Sequence, residues 1–243
     1  MRQKLYMAID DTDEIGYDKS TGMLAERIAS FISENFSPCS FVSRHQLLID
    51  ERINYTSHNS SMCFTANLTQ DERDEAIKFA ENFLAQESAA SSEPGLAVVF
   101  EKDIANLDAL VKFGKKAKTE FITKDEAYNQ ANIQNIYLKE LKNEGRGVIG
   151  ALAGIALRLS GNDGRIKGKI KLQKDEMSVE ELLNLGFIDE VLDENFKQVD
   201  KNEKISVSSN LKLIVRNFRS VLLVKRDENG KFKAYDIEEL RGF

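Results

Sequence analysis

The chain has few soft metal ligands. Its 243 residues contain two cysteines, Cys39 and Cys63, and two histidines, His45 and His58. These form no C-x-x-C or H-x-x-x-H pair, which argues against a structural zinc site, since such a site takes four ligands of this kind. Cys39 and Cys63 read as ordinary reduced thiols. No apolar run approaches the roughly 20 residues of a membrane helix. The N-terminus passes straight into a strand-like segment without an apolar h-region, so the expectation is a cytoplasmic protein with no membrane partner. There is no G-x-x-x-x-G-K-[ST] loop, no Ser-His-Asp or Cys-His arrangement, and no internal repeat. A net charge of −6 argues against wholesale wrapping of nucleic acid but leaves room for a local basic face.

What is present suits a globular enzyme or binding domain. Hydrophobic residues make up 42% of the chain and charged residues 30%, enough for a core and a well-solvated surface. Leu5, Met7 and Ile9 alternate with Tyr6 and Ala8, the period of a strand. Leu24, Ile28, Phe31 and Ile32 then repeat at helical spacing. Ser40–Ile49 and Ser61–Leu68 read as strands, and a helix capped by Thr69 or Asp71 follows, with Ile77, Phe79, Ala80, Phe83 and Leu84 inward. After "SAASSEP" comes the strand "GLAVVFE". Residues 103–143 read as mainly helical. "GVIGALAGIALRL" is apolar on nearly every side and so reads as a buried helix, in which Gly150 and Gly154 admit a close backbone neighbour. The tail reads as a helix, "SVEELLNLGFIDEVL", and short strands, with "DENG" as a hairpin turn. The expected class is α/β or α+β: mixed sheets with packed helices and a small β-rich C-terminal region. The expected division is 1–172 and 173–243, with a soft boundary near Leu172–Ser178.

Four stretches carry candidate chemistry. In "AIDDTD", Asp10, Asp11 and Asp13 crowd the end of the first strand. Adjacent carboxylates repel, so they call for turn amides, a basic partner or a cation such as Mg²⁺, although Asp and Thr also favour plain turns. In "NEGRGVIGALAG", Gly145, Gly147 and Gly150 match G-x-G-x-x-G. A dinucleotide loop is not expected, because the preceding segment reads as helical and Lys169 and Lys171 stand where an acid belongs. Arg146 with the glycines at a helix start still offers charge and amides to a phosphate, and a tight turn into a buried helix is the plainer alternative. "NYTSHNSS" groups His58, a candidate acid or phosphate ligand, with Asn59 and Ser60, or is simply a polar loop. Arg165, Lys167, Lys169 and Lys171 alternate and so share one strand face, either solvated or in contact with RNA or phosphate.

The order of these motifs resembles the N-terminal part of the isoleucine tRNA agmatidine synthetase family. "AIDDTD" with "STGM", "INYTSHNSS", "SEPGLAVV" and "GRGVIGALAG" stand where that family has its I-D-D-T-D, polar-loop, N-P-G and G-R-G-[LV]-I-G-A-L-A elements, over roughly residues 5–172. The resemblance implies an ATP- and Mg²⁺-dependent phosphoryl- or nucleotidyl-transfer enzyme, with a transferase or ligase-like role in tRNA modification. It implies Asp10, Asp11 and Asp13 as metal ligands; the enzyme reading takes Asp10 and Asp11, with His58 from the polar cluster, as its catalytic residues. It also implies nucleotide contact from Thr12, Gly22, Gly145, Arg146 and Gly147, and places Asn59 and Ser60 on the substrate side. The family's threonine after the Gly-Met step has no counterpart in Leu24, Ala25 and Glu26, and the OB-fold and zinc ribbon have no counterpart in this chain. A non-catalytic nucleotide- or RNA-binding module therefore stays open beside the enzyme. The acceptor and the oligomeric state are not legible.

Overall fold

The computed structural model describes residues 1–53, 55, 59–168, 170, 172–207 and 211–240. The chain divides into two compact units, Met1–Ser160 and Gly161–Phe243.

The first unit is built on an antiparallel sheet. Its strands are β1 (Gln3–Asp10), β2 (Ser43–Gln46), β3 (Ser60–Leu68), β4 (Gly95–Phe100) and β5 (Tyr137–Glu140), in the order β5-β4-β1-β3-β2. Central β1 pairs with β3 on one side and β4 on the other. Both of its faces are covered, which is why the segment is apolar throughout rather than alternating with polar residues. Leu5, Met7 and Ile9 join α1 (Thr21–Asn35) and α2 (Gln70–Glu87) in one core, through Leu24, Ile28 and Ile32 on α1 and Ile77, Ala80 and Leu84 on α2. Tyr6 and Ala8 point the other way, into a second core with α3 (Leu107–Lys116), α4 (Lys124–Ile133) and α5 (Gly147–Leu159).

Local chemistry sets the helix starts. Ser20 accepts the Met23 N–H to begin α1, and Thr69 and Glu72 form a reciprocal capping box at α2, which satisfies amides that a helix start leaves open. Of the α2 residues expected inward, Phe79 and Phe83 are half-buried. Phe79 stacks on Phe31 with ring centroids 3.6 Å apart.

Tyr137–Glu140 is an edge strand, not helix, because Tyr137 and Leu138 find pairing partners in Val98 and Ala97 of β4. Tertiary pairing outweighs local propensity in such a short segment. The glycine loop thus does follow a strand. That strand runs antiparallel to its neighbour, so no βαβ dinucleotide unit forms.

The second unit begins earlier than the boundary expected near 172–178, because Arg165 pairs with Ile214 in the C-terminal sheet. Its strands are β6 (Arg165–Ile166), β7 (Glu176–Ser178), β8 (Glu190–Leu192), β9 (Lys204–Ser206), β10 (Ile214–Arg216), β11 (Arg219–Arg226) and β12 (Phe232–Ala234), with one short helix, α6 (Val179–Leu183). The path is β6-β10-β11-β12-β9-β7, with β8 parallel to β11 and β9 parallel to β12. The expected helix over "SVEELLNLGFIDEVL" is only one turn and a half before β8 begins. "DENG" makes the hairpin turn, where the Asp227 N–H donates to the Lys231 carbonyl and Gly230 takes φ +77°.

Candidate functional site

Parity along β1 aims the first aspartate. Even-numbered side chains of this strand face α5, so Asp10 continues the Tyr6 and Ala8 row. α5 runs alongside this row in matching steps. A Cβ on Gly154 would lie 3.4 Å from the Ala8 Cβ, and one on Gly150 would lie 1.6 Å from Asp10 Oδ2 and 2.5 Å from its Cγ. Four residues of helix rise about 6.0 Å and two of strand about 6.8 Å, so the two series stay in register over this span. Gly150 therefore makes room for a carboxylate. At Gly154 the neighbours are the side chains of Ser61 and Ala8. The backbone approach expected at these glycines occurs one turn earlier. A Cβ on Gly95 would lie 2.2 Å from the Gly147 carbonyl carbon, and one on Gly147 would lie 2.7 Å from the Asp10 carbonyl oxygen.

The aspartate loop and the Gly-Arg-Gly loop, about 135 residues apart in sequence, thus meet where β1, β4 and α5 converge. Asp10 is buried at 8% exposure and pairs with Gly95. Burial pushes its carboxyl well above the ordinary aspartate range. The Asp11 and Asp13 charges add to this, and the Asp11 backbone N–H opposes it. Asp11 turns the chain with φ +55°, a left-handed conformation that Asp tolerates better than most residues. Its carboxyl is pushed up to about 6 by burial and then by Glu93, while the Glu93 backbone N–H and Arg146 hold it down.

Thr12 is fully buried, and its hydroxyl donates to Thr21 Oγ1 at 3.1 Å. Asp13 Oδ2 accepts the Thr21 N–H at 3.2 Å, tying the loop to the start of α1, where Gly22 is buried.

Arg146 precedes α5 with its side chain 55% exposed between two carboxylates, Glu93 and Glu144. The amides at this helix start are already engaged. Arg146 N–H donates to Glu93 Oε2 at 3.1 Å and Gly147 N–H to the Glu93 carbonyl at 2.9 Å. Val148 and Ile149 donate to the Gly145 and Arg146 carbonyls. The helix dipole remains to attract an anion, and the guanidinium can do so only by leaving Glu144.

Glu93 was not singled out from the sequence. Its only signal there is its place in "SEPG", beside the proline and glycine that set the strand start. His58 lies outside the described residues, as do Lys169 and Lys171. Asn59 and Ser60 lie at the start of β3, near the Asp10 end of β1, since Ser61 Oγ donates to the Ile9 carbonyl at 3.3 Å. Asn59 Nδ2 donates to the Leu48 carbonyl, and Ser60 Oγ accepts from Arg44 Nε. Arg165 is buried at 4% exposure and Lys167 is partly exposed. The expected solvated stripe therefore does not include Arg165, whose side chain is buried.

Among the described residues, no three His, Cys, Asp or Glu side chains converge as a metal-holding group, and no helix is long and apolar enough to cross a membrane. Mg²⁺ is commonly held by only one or two carboxylates, with substrate phosphates completing its shell. Asp10 and Asp11, whose charged forms are disfavoured by burial and by neighbouring carboxylates (Asp11 and Asp13 on Asp10, Glu93 and Asp13 on Asp11), fit that pattern.

No family model and no curated protein matches the chain. Solved structures do. The TiaS–tRNA–ATP complex, in which TiaS is the tRNA agmatidine synthetase, aligns with TM-score 0.58 and 20% identity over 76% of this chain and 44% of that one. Apo TiaS aligns with TM-score 0.51 and 20% identity over 63% and 35%. A tRNA fluorescent labelling enzyme aligns with TM-score 0.51 and 21% identity over 63% and 36%. This chain spans less than half the length of each. Over 63–76% of its residues, it has the fold of the solved tRNA agmatidine synthetase structures.

Proposed function

We propose that the chain is an ATP- and Mg²⁺-dependent phosphoryl- or nucleotidyl-transfer enzyme related to tRNA agmatidine synthetase. The observation that carries this reading is the seating of Asp10 against Gly150, beside the Gly145–Gly147 loop. It sets carboxylates and a cationic helix start around one point, the division of labour that phosphoryl transfer needs. Asp10 and Asp11 would hold the metal, and Mg²⁺ would supply neutralisation of the phosphate charge. Arg146 would turn from Glu144 to the phosphates. Asp13 and Thr12 would fix the loop to α1 rather than touch the nucleotide chain. The fold neighbours support tRNA as the first acceptor to try, because TiaS has been solved with tRNA and ATP.

The test is calorimetric titration of ATP with Mg²⁺ into the wild type and Asp11→Asn. The variant is expected to lose Mg²⁺-dependent binding while keeping its fold, and unchanged affinity overturns the assignment.

One observation favours a second reading, a binding module without turnover. The position after the Gly-Met step is Leu24, fully buried in the core, so it offers no hydroxyl to a phosphate. Release of ADP or AMP from ATP, absent in Asp11→Asn, decides for the enzyme.

A further inference from the structure

Glu93 is the residue through which the two halves of the site are fastened. Its backbone carbonyl accepts the Gly147 N–H at 2.9 Å. Its Oε2 accepts the Arg146 N–H at 3.1 Å and lies 3.7 Å from Arg146 Nε. The next residues continue the clamp. The Pro94 carbonyl accepts the Leu141 N–H, and Gly95 pairs with Asp10 while its backbone abuts that of Gly147. One short segment thus holds the strand end that carries Asp10 and the helix start that carries Arg146. The Glu93 side chain is 18% exposed, and its bond to the Arg146 amide is charge-assisted, which makes it stronger than a bond between neutral groups. α5 has no side-chain cap from its own preceding residue. Glu93, distant in sequence, instead fixes the Arg146 and Gly147 amides that open the helix.

We propose that Glu93 is a positioning residue, whose carboxylate holds the Arg146 backbone at the helix start that abuts the Asp10 strand end, so that the guanidinium can reach a nucleotide phosphate. The proposal rests on the nucleotide-site reading above. Its physical content is separable from charge, because the amide bond needs an acceptor oxygen and not a negative one. Glu93→Gln keeps an acceptor at the same reach, Glu93→Ala removes it, and both variants are uncharged. Repulsion between Glu93 and phosphate therefore cancels in the comparison. Glu93→Asp keeps the charge but shortens the reach by one methylene.

The experiment measures ATP affinity with Mg²⁺ for the three variants of the full chain, together with NMR amide exchange at Arg146 and Gly147 without nucleotide. Glu93→Gln is expected to bind about 10-fold more tightly than Glu93→Ala, with Glu93→Asp also weaker than Glu93→Gln. The Arg146 amide is expected to exchange about 10-fold faster in Glu93→Ala than in Glu93→Gln. Equal affinities, or tighter binding by Glu93→Ala, overturn the proposal, the latter by showing the carboxylate to be a competitor of the phosphate. If Glu93→Ala does not fold, Glu93→Met, uncharged, of similar length and without an acceptor oxygen, replaces it in the comparison with Glu93→Gln. If the wild type binds no ATP, the nucleotide reading fails on its own. Amide exchange then still decides the clamp, and equal exchange in the variants refutes it.

Discussion

Gly150→Ala places a methyl group where the Asp10 carboxylate now sits. In an exposed helix this change is favourable, by about 1 kcal/mol, because alanine loses less backbone freedom than glycine. Here the new Cβ would lie 1.6 Å from Asp10 Oδ2 and 2.5 Å from Cγ, about 2 Å inside the usual nonbonded separation. Asp10 is at 8% exposure, so its carboxylate has little free space to enter. Overpacking of a filled core costs about 1–3 kcal/mol. Loss of the Asp11 amide by the displaced carboxylate adds about 1–3 kcal/mol. After the helix gain, the net expectation is destabilisation by about 1–5 kcal/mol.

In an Asp10→Ala background the Cγ and both oxygens are gone. The nearest remaining atom is the Asp10 Cβ at 3.0 Å. There Gly150→Ala should come within about 1 kcal/mol of neutral, so the two substitutions should couple by about 2–3 kcal/mol. Urea unfolding followed by tyrosine fluorescence suits the measurement, because there is no tryptophan and five of the six tyrosines (Tyr6, Tyr17, Tyr55, Tyr128 and Tyr137) lie in the first unit. Additivity within about 0.5 kcal/mol would refute the contact on which the site is built.

Other outcomes follow from the same geometry. The Asp11 carboxyl, pushed up to about 6 in the fold against about 3.9 unfolded, binds its proton more tightly when folded. Its contribution therefore favours the fold below about pH 4 and is lost as pH rises through about 6, on the order of 3 kcal/mol. In Mg²⁺-free buffer, the wild type minus Asp11→Asn difference in stability should show that fall, and a flat difference between pH 4 and 7 would count against the burial of Asp11. Gly95→Ala drives a Cβ to 2.2 Å from the Gly147 backbone, which cannot swing aside as a side chain can. A loss of about 3 kcal/mol or more is expected, and a melting temperature within a few degrees of wild type would contradict the close β4–α5 approach.

The elements that depend on local chemistry were legible from sequence. β1 showed as a strand-like apolar run, and Thr69, one of the two expected caps, begins α2. "GVIGALAGIALRL" had no polar face and lies buried from Gly147 onward, except for the partly buried Ile149. β5 was not legible. Four residues ending in Lys139 and Glu140 hold no strand signal until β4 offers them an edge. Arg165 misled in the opposite way, because alternation states which residues share a face but not whether that face meets water.

The site divides along the same line. Composition and order alone determined that three aspartates end a strand, that a Gly-Arg-Gly turn opens an apolar helix, and that Gly150 and Gly154 leave that helix open to a close neighbour. The identity of the neighbour was decided only by the fold. The matched rise of α5 and β1 puts Asp10, not a backbone, against Gly150, and the β1–β4 register brings Glu93 to the amides of Arg146 and Gly147. Spacing in sequence governs contacts along one helix or one strand. Contacts across about 135 residues are set by how those elements pack, and packing is a property of the whole core.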